Sequence, residues 1–409
     1  MKFGLENMSR ICEALDHPER AFQSIIVAGT NGKGSVTAML SAALTAAGLR
    51  AGRYTSPHLE RLEERFVIAE REAATADVEH AAAIVRTTVE RLVRDGVLET
   101  LPTFFECATA MAFELFRRAS VELAVIEVGL GGRLDATNVI SPMAAAITSI
   151  DFDHEALLGH TLAAIAREKA GVIKPGIPVV AGPLPAEADR VIEDICRERG
   201  AALIRARAQV QVSQHADSTV DLTTTTMRLE RVRLALAGRH QLDNAAVAVG
   251  VLEAIRPLGI RLSASDVRAG LEHARWPGRL ESARWQGAEV LLDAAHNAGG
   301  ARALASHLRQ IGWTSIVLVV GVMQDKNATA ILDALAPLAS TIVCTAAPTP
   351  RAMAAADLAA VARTAAPPEV DVRSIDDPAA ALDAACRAGS RVVIAGSIFL
   401  LGPLRGILR

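Results

Sequence analysis

The chain has 409 residues, of which 51% are hydrophobic and 22% charged, and its formal net charge is −3 at pH 7. At roughly 100–200 residues per domain, this length predicts two or three domains. The balanced charge argues against nucleic acid or an anionic membrane as a partner, and the five scattered cysteines favour reduced thiols over a disulfide framework. Because the chain shows neither a signal peptide nor an uninterrupted apolar run of about 18 residues, we expect a cytoplasmic protein without a membrane span.

A glycine-rich turn, GTNGKGS (29–35), follows a short apolar strand (23–29) and opens a predicted helix (35–48). Glycines let backbone N–H groups approach phosphate oxygens, and the helix N-terminus adds partial positive charge. Lys33 supplies a full charge, and Thr30 or Ser35 offers a hydroxyl to phosphate or Mg²⁺. The strand–turn–helix context therefore predicts a phosphate-binding loop.

The spacing of this loop differs from the ordinary G-x-x-x-x-G-K-[ST] pattern. Only two residues separate Gly29 from Gly32, and Gly34 stands between Lys33 and Ser35. A turn without a ligand is the alternative, and we favour the phosphate site because of the lysine and its context.

Three side chains further along are candidate metal ligands. Glu127 ends the apolar run LAVIE, where a buried carboxylate is costly without a cation, although a capping or salt-bridged glutamate is the alternative. His154 follows the next buried strand (144–150), where a hydrogen-bonding loop histidine is the commoner case. Lys169 falls near the apolar face of a predicted helix, and its spacing alone favours a snorkelling lysine over a carbamylated one.

The alternation of strands and helices predicts an α/β fold with a mainly parallel sheet. Residues 208–237 interrupt it with a Thr- and Val-rich segment of period-2 alternation, which predicts a small antiparallel portion. After Pro277 and Gly278 a second α/β series begins. We therefore predict an N-terminal P-loop domain (1–274) and a smaller C-terminal Rossmann-like α/β domain (279–409).

Ten motifs follow one another along the chain: VAGTNGKGS (27–35), TSPHL (55–59), TFFE (103–106), EVGLGGRLDATN (127–138), ITSIDFDHEALLG (147–159), REKAGVIKPG (167–176), GRHQLDNAA (238–246), WPGRLE (276–281), LDAAHN (292–297) and GVMQDKN (321–327). In this order they resemble the folylpolyglutamate synthase/dihydrofolate synthase family, a branch of the Mur ligase superfamily. The resemblance spans nearly the whole chain.

The resemblance implies a role for individual residues. The implied nucleotide-binding residues are Gly29, Thr30, Asn31, Gly32, Lys33, Gly34, Ser35, Asn244, Arg279 and Asp293. The implied metal ligands are Ser56, Glu127 and His154 for one Mg²⁺, and Lys169, carbamylated, for a second. The implied catalytic residues are Lys33, Lys169, Asp293 and His296, and the pterin-facing residues are Thr103, Phe105 and Glu106. A purely structural role for Phe104 and Phe105 in the core is an equally good interpretation.

The resemblance also implies the reaction. We expect an ATP-dependent ligase that adds L-glutamate to dihydropteroate, to (poly)glutamyl reduced folates, or to both, through an acyl phosphate, with release of ADP and phosphate. ATP would be a co-substrate, and two Mg²⁺ sites, small-molecule partners only and a monomer are expected. A monofunctional synthase of either kind is the alternative, and a non-catalytic nucleotide-binding protein is a remote one.

Overall fold

The structure, a computed structural model, describes residues 4–98 and 100–409. The chain divides into two compact units. The first comprises residues up to Asp151, Leu158–Ala235 and Gln241–Arg275, and the second comprises Phe152–Leu157, Leu236–His240 and Trp276–Arg409. Two short segments, Phe152–Leu157 and Leu236–His240, therefore lie between stretches of the first unit in sequence but belong to the second unit.

The first unit is built on an eight-stranded sheet. Its strands are β1 (Gln23–Ala28), β2 (Ala51–Tyr54), β3 (Phe66–Ile68), β4 (Arg71–Glu72), β5 (Leu123–Glu127), β6 (Ala144–Ile147), β7 (Pro178–Ala181) and β8 (Ala202–Arg205). They lie in the order β4-β3-β2-β5-β1-β6-β7-β8, and all neighbours are parallel except the pairs of β3 with β2 and with β4. β5 is buried at every residue and β1 at every residue after Gln23, as expected for apolar strands covered on both faces.

Helices connect and cover these strands. They are α1 (Glu6–Ala14), α2 (Lys33–Ala46), α3 (Thr75–Arg94), α4 (Phe104–Arg118), α5 (Glu155–Leu158), α6 (Leu162–Lys169) and α7 (Ala186–Glu198). Because β1 is flanked by β5 and β6, the loops that follow these three strands meet at one edge of the sheet, where ligands of such folds bind.

A small antiparallel sheet completes the first unit. A short helix, α8 (Ala206–Gln209), leads into β9 (Gln211–Gln214), β10 (Val220–Thr223) and β11 (Arg228–Val232), which pair in the order β11-β10-β9. Two helices follow, α9 (His240–Ile255) and α10 (Ala264–His273). Helix α10 packs closely on α2, since a Cβ at Gly270 would lie 2.5 Å from the Cβ of Ala43.

The second unit holds a six-stranded sheet. Its elements are β12 (Glu281–Trp285), β13 (Ala288–Leu292), α11 (Ala298–Gln310), β14 (Ile316–Val320), α12 (Ala328–Leu335), β15 (Ala339–Cys344), α13 (Ala355–Ala365), β16 (Asp371–Ser374), α14 (Pro378–Ala388), β17 (Arg391–Ala395) and α15 (Ile398–Leu408). The order is β12-β13-β17-β14-β15-β16, with only β12 antiparallel to its neighbour. The predicted fold class, with its mainly parallel N-terminal sheet, antiparallel portion and C-terminal α/β domain, is confirmed.

Helices long and apolar enough to cross a membrane do not occur within residues 4–98 and 100–409.

Candidate active site

The predicted phosphate loop joins β1 to α2, and two of its glycines are required by its shape. Gly29 has φ +147°, and a Cβ there would lie 2.0 Å from Thr148 Oγ1. Gly32 has φ +88°, and a Cβ there would lie 2.4 Å from Asn244 Oδ1. Any larger residue at either position would have to displace a neighbouring side chain and adopt a backbone conformation that L-residues rarely take.

Residues that follow β6 fix one side of this loop. Ser149 accepts hydrogen bonds from two loop amides, from Thr30 N to its carbonyl at 2.8 Å and from Asn31 N to its Oγ at 2.9 Å. Thr148 Oγ1 donates to Asn31 O at 2.6 Å. Sequence reasoning missed both residues, although polar side chains at the end of a strand beside β1 were a signal for them.

The start of α9 fixes the other side. Gln241 Nε2 donates to Ser35 Oγ at 3.2 Å, and Asn244 Nδ2 donates to Gln241 Oε1 at 2.9 Å. Asn244, which was predicted to bind the nucleotide, therefore lies against the loop at Gly32. Gln241 was not predicted, and its position in HQLDN, three residues before Asn244 on one helix face, was the available signal.

Two lysines converge on the first residue of the loop. Lys33 Nζ donates to Gly29 O at 3.0 Å and to Thr30 O at 3.2 Å. Lys169 Nζ, at the end of α6 and only 4% exposed, donates to the same Gly29 O at 2.9 Å. Backbone amides at a helix N-terminus beside the ammonium group of Lys33 are suited to hold phosphate oxygens.

Glu127 lies next to this loop. It is the last residue of β5, it is paired in register with Val27 of β1, and it is 4% exposed. Its Oε2 accepts a hydrogen bond from Ser56 N at 3.3 Å. A carboxylate and a serine hydroxyl are hard oxygen donors, so Glu127 and Ser56 fit Mg²⁺.

A dedicated cluster of metal ligands is not part of this arrangement. Over residues 4–98 and 100–409, no group of three or more His, Cys, Asp or Glu side chains could hold a metal ion. A magnesium site in the first unit would therefore depend on the mixed donors at Glu127 and Ser56 and on oxygens of the substrate.

His154 belongs to the second unit. Its Nε2 lies 3.0 Å from Lys326 Nζ, and its Nδ1 lies 3.9 Å from Asp325 Oδ2. Because an ammonium group only donates, Nε2 must accept and the ring proton is on Nδ1. Burial, with a further contribution from Lys326, lowers the pKa of His154 to about 4, so the imidazole is neutral, and Lys326 occupies the lone pair of its Nε2.

The other predicted residues of the second unit lie just before β12, in the case of Arg279, and just after β13, in the case of Asp293 and His296. Asp293 Oδ2 accepts from Leu280 N at 2.9 Å, and burial raises the pKa of Asp293 although the charge of Arg279 opposes this. His296 Nδ1 donates to Ala294 O at 2.9 Å, so the proton of the neutral ring is on Nδ1 and Nε2 lies on the side of the ring away from that bond. Arg279 also acts on His240, where burial and then the guanidinium charge lower the pKa to about 4.

The predicted pterin-facing residues fall at the start of α4. Thr103 and Glu106 form a capping box, in which Glu106 N donates to Thr103 Oγ1 at 3.2 Å and Thr103 N donates to Glu106 Oε2 at 2.7 Å. Phe105 stacks on Tyr54 with ring centroids 6.2 Å apart, and a Cβ at Gly129 would lie 2.5 Å from its Cζ. Thr103 and Glu106 thus have a structural function in this chain, whereas Phe105 lies against the segment that follows Glu127.

Comparison with known proteins gives consistent matches. Residues 27–252 match the Mur ligase middle domain, and residues 278–398 match the glutamate ligase domain of Mur ligases. The dihydrofolate synthase/folylpolyglutamate synthase of Mycobacterium tuberculosis is 36% identical over 440 residues, covering 98% of this chain and 89% of that protein.

Solved structures agree over the same length. A folylpolyglutamate synthase of Mycobacterium tuberculosis complexed with ADP has a TM-score of 0.92 and 34% identity, covering 99% of this chain and 94% of that one. A bifunctional folylpolyglutamate synthase/dihydrofolate synthase with Mn, AMPPNP and L-glutamate bound has a TM-score of 0.87 and 33% identity, covering 100% and 95%.

Proposed function

The chain belongs to the folylpolyglutamate synthase/dihydrofolate synthase family of ATP-dependent ligases, and from this we propose that it adds L-glutamate both to dihydropteroate and to reduced folates. The observation that carries the proposal is the meeting of Lys33 and Lys169 on Gly29 O, beside the buried carboxylate of Glu127. A cation for the phosphates, here Lys33, and a carboxylate for their metal are the parts that ATP-driven carboxylate activation needs.

The chemistry follows from the weakness of a carboxylate as an electrophile. The acceptor carboxylate attacks the γ-phosphorus of ATP, ADP leaves, and an acyl phosphate forms. The amine of glutamate then attacks the acyl carbon, and the tetrahedral intermediate expels phosphate while the amine loses its proton. The enzyme's contribution is positioning and charge neutralisation, with Lys33 and the loop amides on the phosphate oxygens.

Magnesium has a place in this proposal at Glu127, Ser56 and His154. When bound, Mg²⁺ would supply positive charge that offsets the charge of the phosphate groups. The buried Glu127 carboxylate supports this assignment. Manganese in the related bifunctional structure is a further support.

A second Mg²⁺ site at carbamylated Lys169 is the finer part of the proposal. A neutral lysine amine adds CO₂ to give a carbamate anion and releases a proton, which turns a cation into an oxygen ligand. The position of Lys169 supports this, because its side chain is only 4% exposed and its Nζ reaches Gly29 O of the phosphate loop. Gly29 O, which accepts a hydrogen bond from Lys169 Nζ in the structure, would then lie beside a carbamate.

For the acceptor, we propose that Phe105 provides an apolar surface for a flat pterin ring. In the second unit, we propose that Arg279 and Asp293 bind the nucleotide and that His296 takes part in the acyl-transfer step. We further propose that the protein acts as a cytoplasmic monomer.

The test is ADP release with ATP, Mg²⁺ and L-glutamate, using dihydropteroate in one reaction and tetrahydrofolate in another. Reactions without acceptor and without glutamate are the controls, and the glutamylated product is measured by mass spectrometry. Turnover with both acceptors is expected. Turnover with only one would leave a monofunctional synthase, and turnover with neither would reject the proposal.

A further inference from the structure

Lys326 makes two polar contacts that the proposed reaction does not yet use. It lies in the motif GVMQDKN, just after β14, and its side chain is 8% exposed. Its Nζ lies 2.5 Å from Asp153 Oδ1 and 3.0 Å from His154 Nε2. One buried ammonium group thus contacts two consecutive residues that are 173 and 172 positions away in the chain.

Residues of two motifs of the second unit, LDAAHN and GVMQDKN, contact the carboxylate of Asp153. While Lys326 contacts Oδ1, Asn297 Nδ2 donates to Oδ2 at 3.1 Å and His296 Nε2 lies 3.5 Å from the same oxygen. The Asp153 side chain is only 9% exposed, so these groups replace its water. Through this carboxylate the segment 152–157, which carries His154, is linked to Asn297 and Lys326 of the second unit.

Lysine is rare in this chain, which is a second observation that distinguishes Lys326. Only five of its 43 basic side chains are lysines, namely Lys2, Lys33, Lys169, Lys174 and Lys326. Arginine supplies the other 38 basic side chains. An ammonium is a compact point charge, whereas a guanidinium is a broad planar fork, and the single nitrogen of Lys326 contacts both Asp153 and His154.

We propose that Lys326 is a positioning residue that clamps Asp153 and thereby holds in place the segment 152–157, which carries His154. Its catalytic consequence rests on the proposed function, since His154 is a proposed magnesium ligand and Lys326 must release its Nε2 before it can hold the ion. The clamp itself is a property of the protein without substrate, so it can be measured separately.

The test compares Lys326→Met with wild-type protein by two measurements. Hydrogen exchange of the amides of residues 152–157, in protein without nucleotide, is expected to become faster. The kcat of the ligase reaction is expected to fall roughly 10- to 100-fold, as for other groups that orient a metal ligand, with the KM for the acceptor unchanged. Lys326→Arg, which leaves Asp153 with a cation and is expected to fold, should show both effects to a smaller degree.

Lys174→Met is the matched control. Lys174 is also partly buried, but its Nζ donates to a backbone carbonyl, Asn138 O, at 2.9 Å and not to a carboxylate. This variant should leave exchange at 152–157 and kcat unchanged. Asp153→Asn should reproduce the loss of Lys326→Met, and the double variant should be little worse than either, because both remove the same pair.

Unchanged exchange at residues 152–157 in Lys326→Met and Lys326→Arg would overturn the clamp. Fully additive losses of kcat in the double variant would also overturn it. If the wild-type protein releases no ADP with any acceptor, the proposed function fails, while faster exchange confined to 152–157 would still support the clamp.

Discussion

Replacing Gly32 by alanine tests the phosphate loop at the position where the structure is most restrictive. An alanine at φ +88° costs about 1–2 kcal/mol, because L-residues are strained in the left-handed region. Its Cβ would also lie 2.4 Å from Asn244 Oδ1, so Asn244 must move and its hydrogen bond to Gln241 is lost, at a further cost of about 1 kcal/mol.

Together these costs predict a loss of about 2–3 kcal/mol for the loop conformation in the structure. If that conformation is the one that holds the phosphates, ATP affinity should fall about 30- to 150-fold. Isothermal titration calorimetry with a non-hydrolysable ATP analogue measures this directly.

Gly48→Ala provides the control for backbone strain. Gly48 has φ +85°, nearly the same as Gly32, but nothing lies within 4 Å of an added Cβ. This variant should lose about 1–2 kcal/mol of unfolding free energy and bind nucleotide normally. Wild-type nucleotide affinity in Gly32→Ala would refute the reasoning about the loop.

Three other substitutions separate the remaining parts of the site. Glu127→Gln removes the carboxylate charge but keeps its shape, and kcat measured against Mg²⁺ concentration should fall by about 100-fold or more; an unchanged metal dependence would exclude Glu127 as a ligand. Lys169→Ala should lose most turnover and regain part of it when short carboxylates such as acetate are added, and full activity without them would show the carbamate assignment to be wrong. Phe105→Leu should raise the KM for the pterin acceptor roughly 2- to 10-fold and leave the KM for ATP unchanged, whereas equal changes in both would point to a general packing defect.

Local patterns predicted the elements that carry the chemistry. The strand–glycine-turn–helix sequence around Lys33 gave the phosphate loop, and the apolar run that ends in Glu127 gave the buried carboxylate beside it. The order of strands and helices gave the fold class, because apolar periodicity and loop length are local properties of a sequence.

Contacts between distant residues were not predictable in the same way. The hydrogen bond of Gln241 to Ser35 joins residues 206 positions apart, and that of Lys326 to Asp153 joins residues 173 apart. No periodicity or motif spacing specifies such pairs. The assignment of residues 152–157 to the second unit is of the same kind, since it depends on the partners of Asp153.

The TFFE segment was interpreted as pterin-facing, but its spacing also fits a helix cap. Thr103 and Glu106 are three residues apart, which is the spacing of a helix capping box, and the structure shows that box at the start of α4. Their proposed contact with a pterin stays a prediction, because the same side chains already satisfy backbone N–H groups there.

The path of oxygen during turnover tests the central claim most directly. An acceptor labelled with ¹⁸O in the reacting carboxylate is incubated with ATP, Mg²⁺, L-glutamate and the enzyme, and the phosphate released is analysed by mass spectrometry. Attack of the carboxylate on the γ-phosphorus predicts that each phosphate carries one ¹⁸O atom from the acceptor. Unlabelled phosphate, formed while the glutamylated product still accumulates, would contradict an acyl-phosphate intermediate.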